Sequence, residues 1–346
     1  MKVLRIHEGS AKDTLIYKEP AQAEGESVFE FLDYFSIFDW GRFLDSQIKF
    51  KGIAMAAIAK KHFELLQKEG IKTHYLGMES PSRMKIAVVK IPEPYKNLAP
   101  GLRNRLLPIE IIFRIYTHPE SSDLRKIKEG KRTFQELGYE EMPEPNKKLP
   151  SVKMSYSTKL EAEDRILSKE EARILAGLTQ AEMGMLEEIA LKVNDIITKH
   201  SESVGMIHYD GKIEVARDSE GEFMIVDVLG TLDEDRFMLN AGGGFVDVSK
   251  QFLRNWYIAN GWKAKADAAK KKAIGTDWTT LCEPPPKLEK RISVLMTEMY
   301  LADAEARTGE KIGSKLGVNV RPIREVAKEM LELQEAHNSG KLKLLE

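Results

Sequence analysis

The sequence predicts an α+β fold in two unequal parts, a β-rich N-terminal lobe over residues 1–105 and a larger α+β body over residues 106–346. Three observations predict it. The first hundred residues carry short strand-like runs around a single helical stretch. Prolines from Pro92 to Pro108 punctuate a connector, and the last third repeats apolar residues at helical spacing. A chain of 346 residues is too long for one minimal core and suits one large or two closely packed domains.

Met1 to Ile6 reads as a short strand, followed by a small-residue turn at Gly9-Ser10-Ala11-Lys12 and an apolar strand towards Tyr17. Backbone N–H groups of such a turn can approach phosphate oxygens, with Lys12 as a point charge. It is not a Walker P-loop, which needs two glycines and a Gly-Lys-Ser/Thr ending, and an ordinary turn with a surface lysine fits the same residues. Ser27 to Leu32 and Met84 to Ile91 have strand composition. Between them Met55, Ile58, Ala59, Phe63 and Leu66 recur at helical spacing, with Gly70 where a C-cap glycine belongs. Ile109 to Tyr116, broken by Glu110 and Arg114, is a buried strand.

Residues 119–155 are polar and read as loops around a short helix. Ser168-Lys-Glu-Glu171 and Thr179-Gln-Ala-Glu182 are capping boxes that open two helices. The second carries a core stripe of Met183, Leu186, Ile189, Val193, Ile196 and Ile197. Met206 to Val215 and Glu222 to Val228 form a hairpin across Asp218-Ser-Glu-Gly221. Gly242-Gly-Gly244 lacks dinucleotide spacing and reads as a flexible loop. Val248 to Ala259, Leu288 to Ala306 and Pro322 to Ala336 are helical, with Glu283-Pro-Pro-Pro286 a rigid break.

Composition removes several classes of function. Lys plus Arg number 53 against 54 Asp plus Glu, so no nucleic-acid or anionic-membrane partner is expected. The single Cys282 excludes an intramolecular disulfide framework and a Cys-based zinc cluster, and fits a reducing compartment. No apolar run approaches the roughly 20 residues that span a bilayer, so a cytoplasmic protein is expected. A homo-oligomer is compatible with this composition. The histidines form no His-Glu-x-x-His pattern, His74 and His208 read as structural, and no Gly-x-Ser-x-Gly elbow is present.

The hairpin carries the chemistry. Asp210, Lys212 and Glu214 share one strand face. With the turn centred between Ser219 and Glu220, Lys212 stands opposite Asp227 and Glu214 diagonal to it. A solvated face of salt bridges has the same pattern. Phe223 and Ile225, on this face in that register, favour a cleft. One or two carboxylates are what nucleotide-bound magnesium needs.

Read in order, these segments resemble a family. They are Gly9-Ser-Ala-Lys12-Asp13, Asp33-Tyr-Phe-Ser36-Ile-Phe-Asp39, Lys51-Gly52 and Gly70-Ile-Lys-Thr73-His74. Pro108-Ile-Glu110-Ile-Ile-Phe-Arg114, Ser157-Thr158-Lys159-x-Glu161 with Asp164, and Asp210-Gly-Lys212-Ile-Glu214 follow. Asp227 to Phe237 and Ser249-Lys250-Gln251-Phe-Leu-Arg254-Asn-Trp256 complete the series. Over residues 9–311 the chain resembles the SAICAR (phosphoribosylaminoimidazole-succinocarboxamide) synthetases. The resemblance implies an ATP-grasp-like fold with ATP and Mg2+ between the lobes. It also implies a ligation of carboxyaminoimidazole ribotide to L-aspartate through an acyl phosphate.

On that resemblance Gly9, Ser10, Ala11 and Lys12 contact phosphates, and Lys159, Asp210 and Lys212 support the nucleotide site. Glu214 and Asp227 hold magnesium. Arg114 and Arg236 grip the ribotide, and with Lys212 they form the catalytic set. Ser36, Asp39, Ser122 and Asp164 line the substrate side. The chain departs from the family pattern at Ser10, Tyr34, Val228 and Glu234-Asp235, and Ser121-Ser122 is the nearest substitute for a missing Gly-Ser. An ion pair between Arg236 and Glu234 or Asp235 would compete with the ribotide phosphate. A paralogous ligase with another carboxylate acceptor and a nucleotide-binding protein without turnover stay open beside the synthetase.

Overall fold

The computed structural model describes residues 2–161 and 164–338. Six elements build the N-terminal part: β1 (Arg5–Glu8), β2 (Lys12–Lys18), β3 (Gly25–Phe31), α1 (Lys51–Lys68), β4 (Tyr75–Ser80) and β5 (Arg83–Val88). The strands form one antiparallel sheet in the order β1-β2-β3-β5-β4. The body follows with β6 (Arg105–Tyr116), α2 (Ser122–Lys128), β7 (Lys148–Thr158), β8 (Ile166–Leu167), α3 (Lys169–Leu175) and α4 (Gln180–Glu202). It continues through β9 (Met206–Arg217), β10 (Phe223–Val226), β11 (Arg236–Asn240) and β12 (Phe245–Asp247). Helices α5 (Lys250–Ala259), α6 (Trp262–Lys272), α7 (Lys290–Thr308), α8 (Ile312–Lys315) and α9 (Ile323–Asn338) close it.

The second sheet runs β12-β11-β9-β6-β7-β8, with β10 also on β9. Strand β6 is central and covered, which is why it reads as a near-continuous apolar run: Ile109, Ile111, Phe113 and Ile115 are all buried. Strands β10 and β11 pair with opposite halves of the same edge of β9. Residues 227–235 therefore leave the sheet between them, beside Lys212 and Glu214. Both predicted capping boxes form, on α3 and α4. Of the α4 stripe Met183, Leu186, Val193 and Ile197 are buried, with Ile189 and Ile196 half-buried. Among the described residues no helix is long and apolar enough to cross a membrane.

Two expectations are corrected, the hairpin register and the loop reading of residues 148–155, while Gly242–Gly244 is a loop as expected. The β9–β10 register pairs Val226 with Glu214 and Ile225 with Val215, one residue away from the predicted pairing. The apolar residues sharing the acid face are therefore Met224 and Val226, while Ile225 points into the core. Residues 148–155 are strand, not loop, because β7 pairs along β6 while leaving much of its length exposed and polar. Gly242–Gly244 lies in the β11–β12 connection, closed by the Ala241 N–H donating to Gly244 O.

Candidate active site

A cleft of about 960 Å3 opens between the two sheets. The Gly9–Lys12 turn, the end of β5 with the segment that continues to Ile91, and the face of β9 with the 227–234 segment line it. Gly9 is required here: its N–H donates to Lys12 O, and a Cβ on it would fall 2.4 Å from that same oxygen. One end of the cleft is apolar, where Val89, Ala216, Met224 and Val226 pack with Leu106. The segment behind it is tied to β6, since Lys90 N–H donates to Asn104 O and Leu106 N–H to Lys90 O.

The other end is charged. Asp227 ends β10 with φ 61°, a left-handed turn that swings its carboxylate out of the strand and against Glu214. Lys12 Nζ lies 2.7 Å from Asp227 Oδ1. Lys159 Nζ lies 2.5 Å from Glu214 and 3.2 Å from Glu110, and Lys212 Nζ lies 2.6 Å from Glu110 and 3.5 Å from Glu234. Burial and then the Asp227 charge push Glu214 up to about 8. Burial works against Asp227 too, yet Lys12 and Lys159 hold it well below the usual carboxylate range. The two acids titrate as a pair, Glu214 raised and Asp227 lowered. Two buried carboxyl groups against each other at the mouth of a cleft are a donor set suited to a divalent cation.

Beyond the acids lies an arginine cluster. Arg236 donates through Nε to Asp210 at 2.8 Å and through Nη2 to its other oxygen, while Nη1 reaches His118 Nδ1 and Glu120 O. Arg114 is buried, donating to Ser155 Oγ at 2.6 Å and standing 3.5 Å from Asp123. Tyr139 O–H donates to the same Asp123.

The family model for SAICAR synthetase matches residues 5–269. This chain belongs to the SAICAR synthetase family. An Archaeoglobus fulgidus protein provisionally named phosphoribosylaminoimidazole-succinocarboxamide synthase is 34% identical over 337 residues, 92% of this chain and 99% of that protein. The Thermoplasma acidophilum enzyme of that name is 31% identical over 287 residues, 82% of this chain and 93% of its own. Among solved structures, Saccharomyces cerevisiae SAICAR synthase in complex with SAICAR aligns with TM-score 0.64 at 19% identity, covering 90% of this chain and 96% of that one. A type-2 SAICAR synthetase in complex with ADP aligns with TM-score 0.59 at 22% identity, covering 89% and 99%. At these identities the structural likeness is one of fold, the ATP-grasp-like architecture that the resemblance implied.

Set against this SAICAR synthetase scaffold, Gly9, Ser10, Ala11, Lys12, Lys159, Lys212, Glu214 and Asp227 meet in the one cleft. Asp210 does not line that cleft; it lies under Arg236. The acids next to Arg236 leave it free of them. Asp235 turns inward to His208 Nε2 at 3.0 Å, lying so close over Gly211 that a Cβ there would come within 2.3 Å of its carboxylate. Glu234 faces Lys212. Ser122 opens α2, and Asp164 is exposed on the loop after β7. Asp39 is exposed and ion-paired with Lys270 at 2.6 Å.

Two groups escaped the sequence reading, although their motifs were in view. Fully buried Lys51 lies 2.8 Å from Asp233 Oδ2, and Tyr300 O–H donates to Asp233 Oδ1 at 2.5 Å. Lys250 reaches Ser36 Oγ at 3.1 Å. Their signal was a lysine at the first position of each of two apolar helices, α1 and α5, where a surface residue is the ordinary expectation.

Proposed function

We propose that the protein is an ATP-dependent carbon–nitrogen ligase of purine biosynthesis. It joins carboxyaminoimidazole ribotide to L-aspartate and releases SAICAR, ADP and phosphate. The observation that carries this reading is the meeting of the Gly9–Lys12 turn with Glu214 and Asp227 in one cleft that also has an apolar end. The adenine base fits that apolar end, against Val89, Leu106 and Val226, with its triphosphate running towards the turn. Magnesium on Glu214 and Asp227 would supply positive charge to the transferring phosphoryl group.

The chain's own residues do the rest. A carboxylate is a poor electrophile, and phosphorylation gives it a leaving group. Backbone N–H groups of the turn and Lys12 take the charge of the phosphates, with Lys212 and Lys159 as fixed cations beside them. Arg236, its fork already oriented by Asp210, grips the ribotide together with Arg114. Ser36, Ser122, Asp39 and Asp164 flank the acceptor side. The acyl phosphate then passes to the amine of aspartate inside the cleft, away from water. Small-molecule substrates and a cytoplasmic setting belong to the same reading.

The test is ADP release. Ribotide, Mg-ATP and aspartate together should give stoichiometric ADP and SAICAR. ADP release in no mixture containing ribotide, alongside tight ATP binding, would overturn the reading.

A further inference from the structure

Five lysines surround the acid cluster, and four are held by carboxylates. Lys12 is paired with Asp227, Lys51 with Asp233, Lys159 with Glu214 and Lys212 with Glu110. Lys250 differs. Its Nζ is bonded to the neutral hydroxyl of Ser36 at 3.1 Å, and it makes no ion pair among the described residues. The residue is 9% exposed and lines the same cleft as Glu214 and Asp227.

Its surroundings disfavour a cation. Lys250 is the first residue of α5, at the positive end of the helix dipole, with Ser249 as the N-cap. Arg254 stands one turn along the same helix, and Lys51 reaches in from α1. Asp233 and Glu234 face it from the 227–235 segment, but Asp233 is already occupied by Lys51 and Tyr300, and Glu234 by Lys212. Burial pushes the Lys250 ammonium down to about 8; Arg254 and Lys51 add to that shift, and Asp233 and Glu234 oppose it. A free amine at this position is accessible near neutral pH.

The proposed reaction needs such a group. An amino acid reaches the site as an ammonium ion, whose nitrogen has no lone pair with which to attack. We propose that Lys250, as the free amine, takes a proton from the α-ammonium of the amino-acid acceptor, making it the nucleophile towards the acyl phosphate. The N–C bond forms as the C–O bond to phosphate breaks. The nitrogen's second proton leaves with the phosphate, and Lys250 returns its own proton to solvent. Ser36 aims Nζ.

This assignment rests on the acyl phosphate reading, and one experiment separates the two. Hydroxylamine is unprotonated at neutral pH and traps acyl phosphates as hydroxamates without a base. With ribotide and Mg-ATP, wild-type protein should form hydroxamate; its absence would sink the ligase reading itself. In Lys250→Ala, transfer to aspartate should fall by about 100-fold or more, while hydroxamate formation falls by less than about 3-fold. Lys250→Arg, which keeps the charge, should not restore aspartate transfer. A small amine such as ethylamine should rescue Lys250→Ala in proportion to its free-base concentration. Restoration by arginine, or a raised KM for aspartate with kcat intact, would make Lys250 a carboxylate clamp and overturn the proposal.

Discussion

Asp227 combines two demands at one residue, a left-handed backbone at φ 61° and a buried charge against Glu214. Asparagine tolerates that backbone better than other neutral residues. Asp227→Asn should therefore keep the fold, with a melting temperature at or somewhat below wild type, because Lys12 loses its ion-pair partner. ADP release should still fall by about 100-fold or more, as expected when a group stabilising transferred charge is lost. Full ADP release in this variant would remove Asp227 from the metal site. Lys12 tests the phosphate turn. Its ammonium is paired with Asp227 at 2.7 Å, so a phosphate contact would exchange one ion pair for another. Lys12→Ala should weaken Mg-ATP binding by about 1–3 kcal/mol, the range for a charged hydrogen bond. Calorimetry giving an unchanged dissociation constant would show that the lysine is a lobe-to-lobe tether only.

Elements with strong local rules were legible in the sequence, and those decided by distant partners were not. The two capping boxes, the α1 and α4 stripes and the central strand β6 all stand where periodicity placed them. The hairpin was legible, but its register was not. Asp218 accepts from the N–H groups of Glu220 and Glu222, building a five-residue loop over 218–222 where the four residues 218–221, centred between Ser219 and Glu220, were expected to turn the chain. That slip moved the apolar partners of the acids to Met224 and Val226. Asp227 still met Glu214, through its positive φ rather than through pairing. Helix α1 also carries something that pattern cannot reveal. Its His62 is buried against His200 of α4 at 3.1 Å and against Leu229 O at 3.2 Å. Burial, then the Arg307 guanidinium, hold His62 well below the usual histidine range, and burial lowers His200 too. A depressed folded-state value means that the unfolded chain binds more protons, so this stability is whole above about pH 6.5 and is lost as pH falls. Glu214 acts with the opposite sign over the same window, so the informative comparison is with His62→Gln. Calorimetry from pH 7 to 5 should show a steeper fall in melting temperature for wild type than for that variant. Parallel curves would show that the histidine pair does not carry acid sensitivity.

At the scale of the whole molecule, a division at 105/106 falls just inside β6, which starts at Arg105, and does not divide the core. Helix α1 belongs by sequence to the N-terminal part, yet it packs against α7 and α4 of the body. One contiguous apolar cluster runs from Phe29 and Phe63 through Phe113 and Leu186 to Met299 and Met330. The two parts are also stitched by backbone: His74 N–H donates to Ile225 O, and Ile225 N–H donates to Lys72 O. The bridge from Lys51 to Asp233 and Tyr300 is buried at the same junction. Removing residues 1–105 would strip α1 from α7 and leave Asp233 as a buried carboxylate without its cation, a penalty of about 3–5 kcal/mol from the broken pair alone. Residues 106–346 expressed alone should therefore show no cooperative melting transition. The full chain should melt in one calorimetric transition, with van't Hoff and calorimetric enthalpies in agreement. Mg-ATP at about 100 times its dissociation constant should then move that whole transition upwards, by the equivalent of about 2.7 kcal/mol. Two transitions, of which ATP shifts only one, would mean that the lobes fold separately and that the cleft is a docking interface rather than a seam in one core.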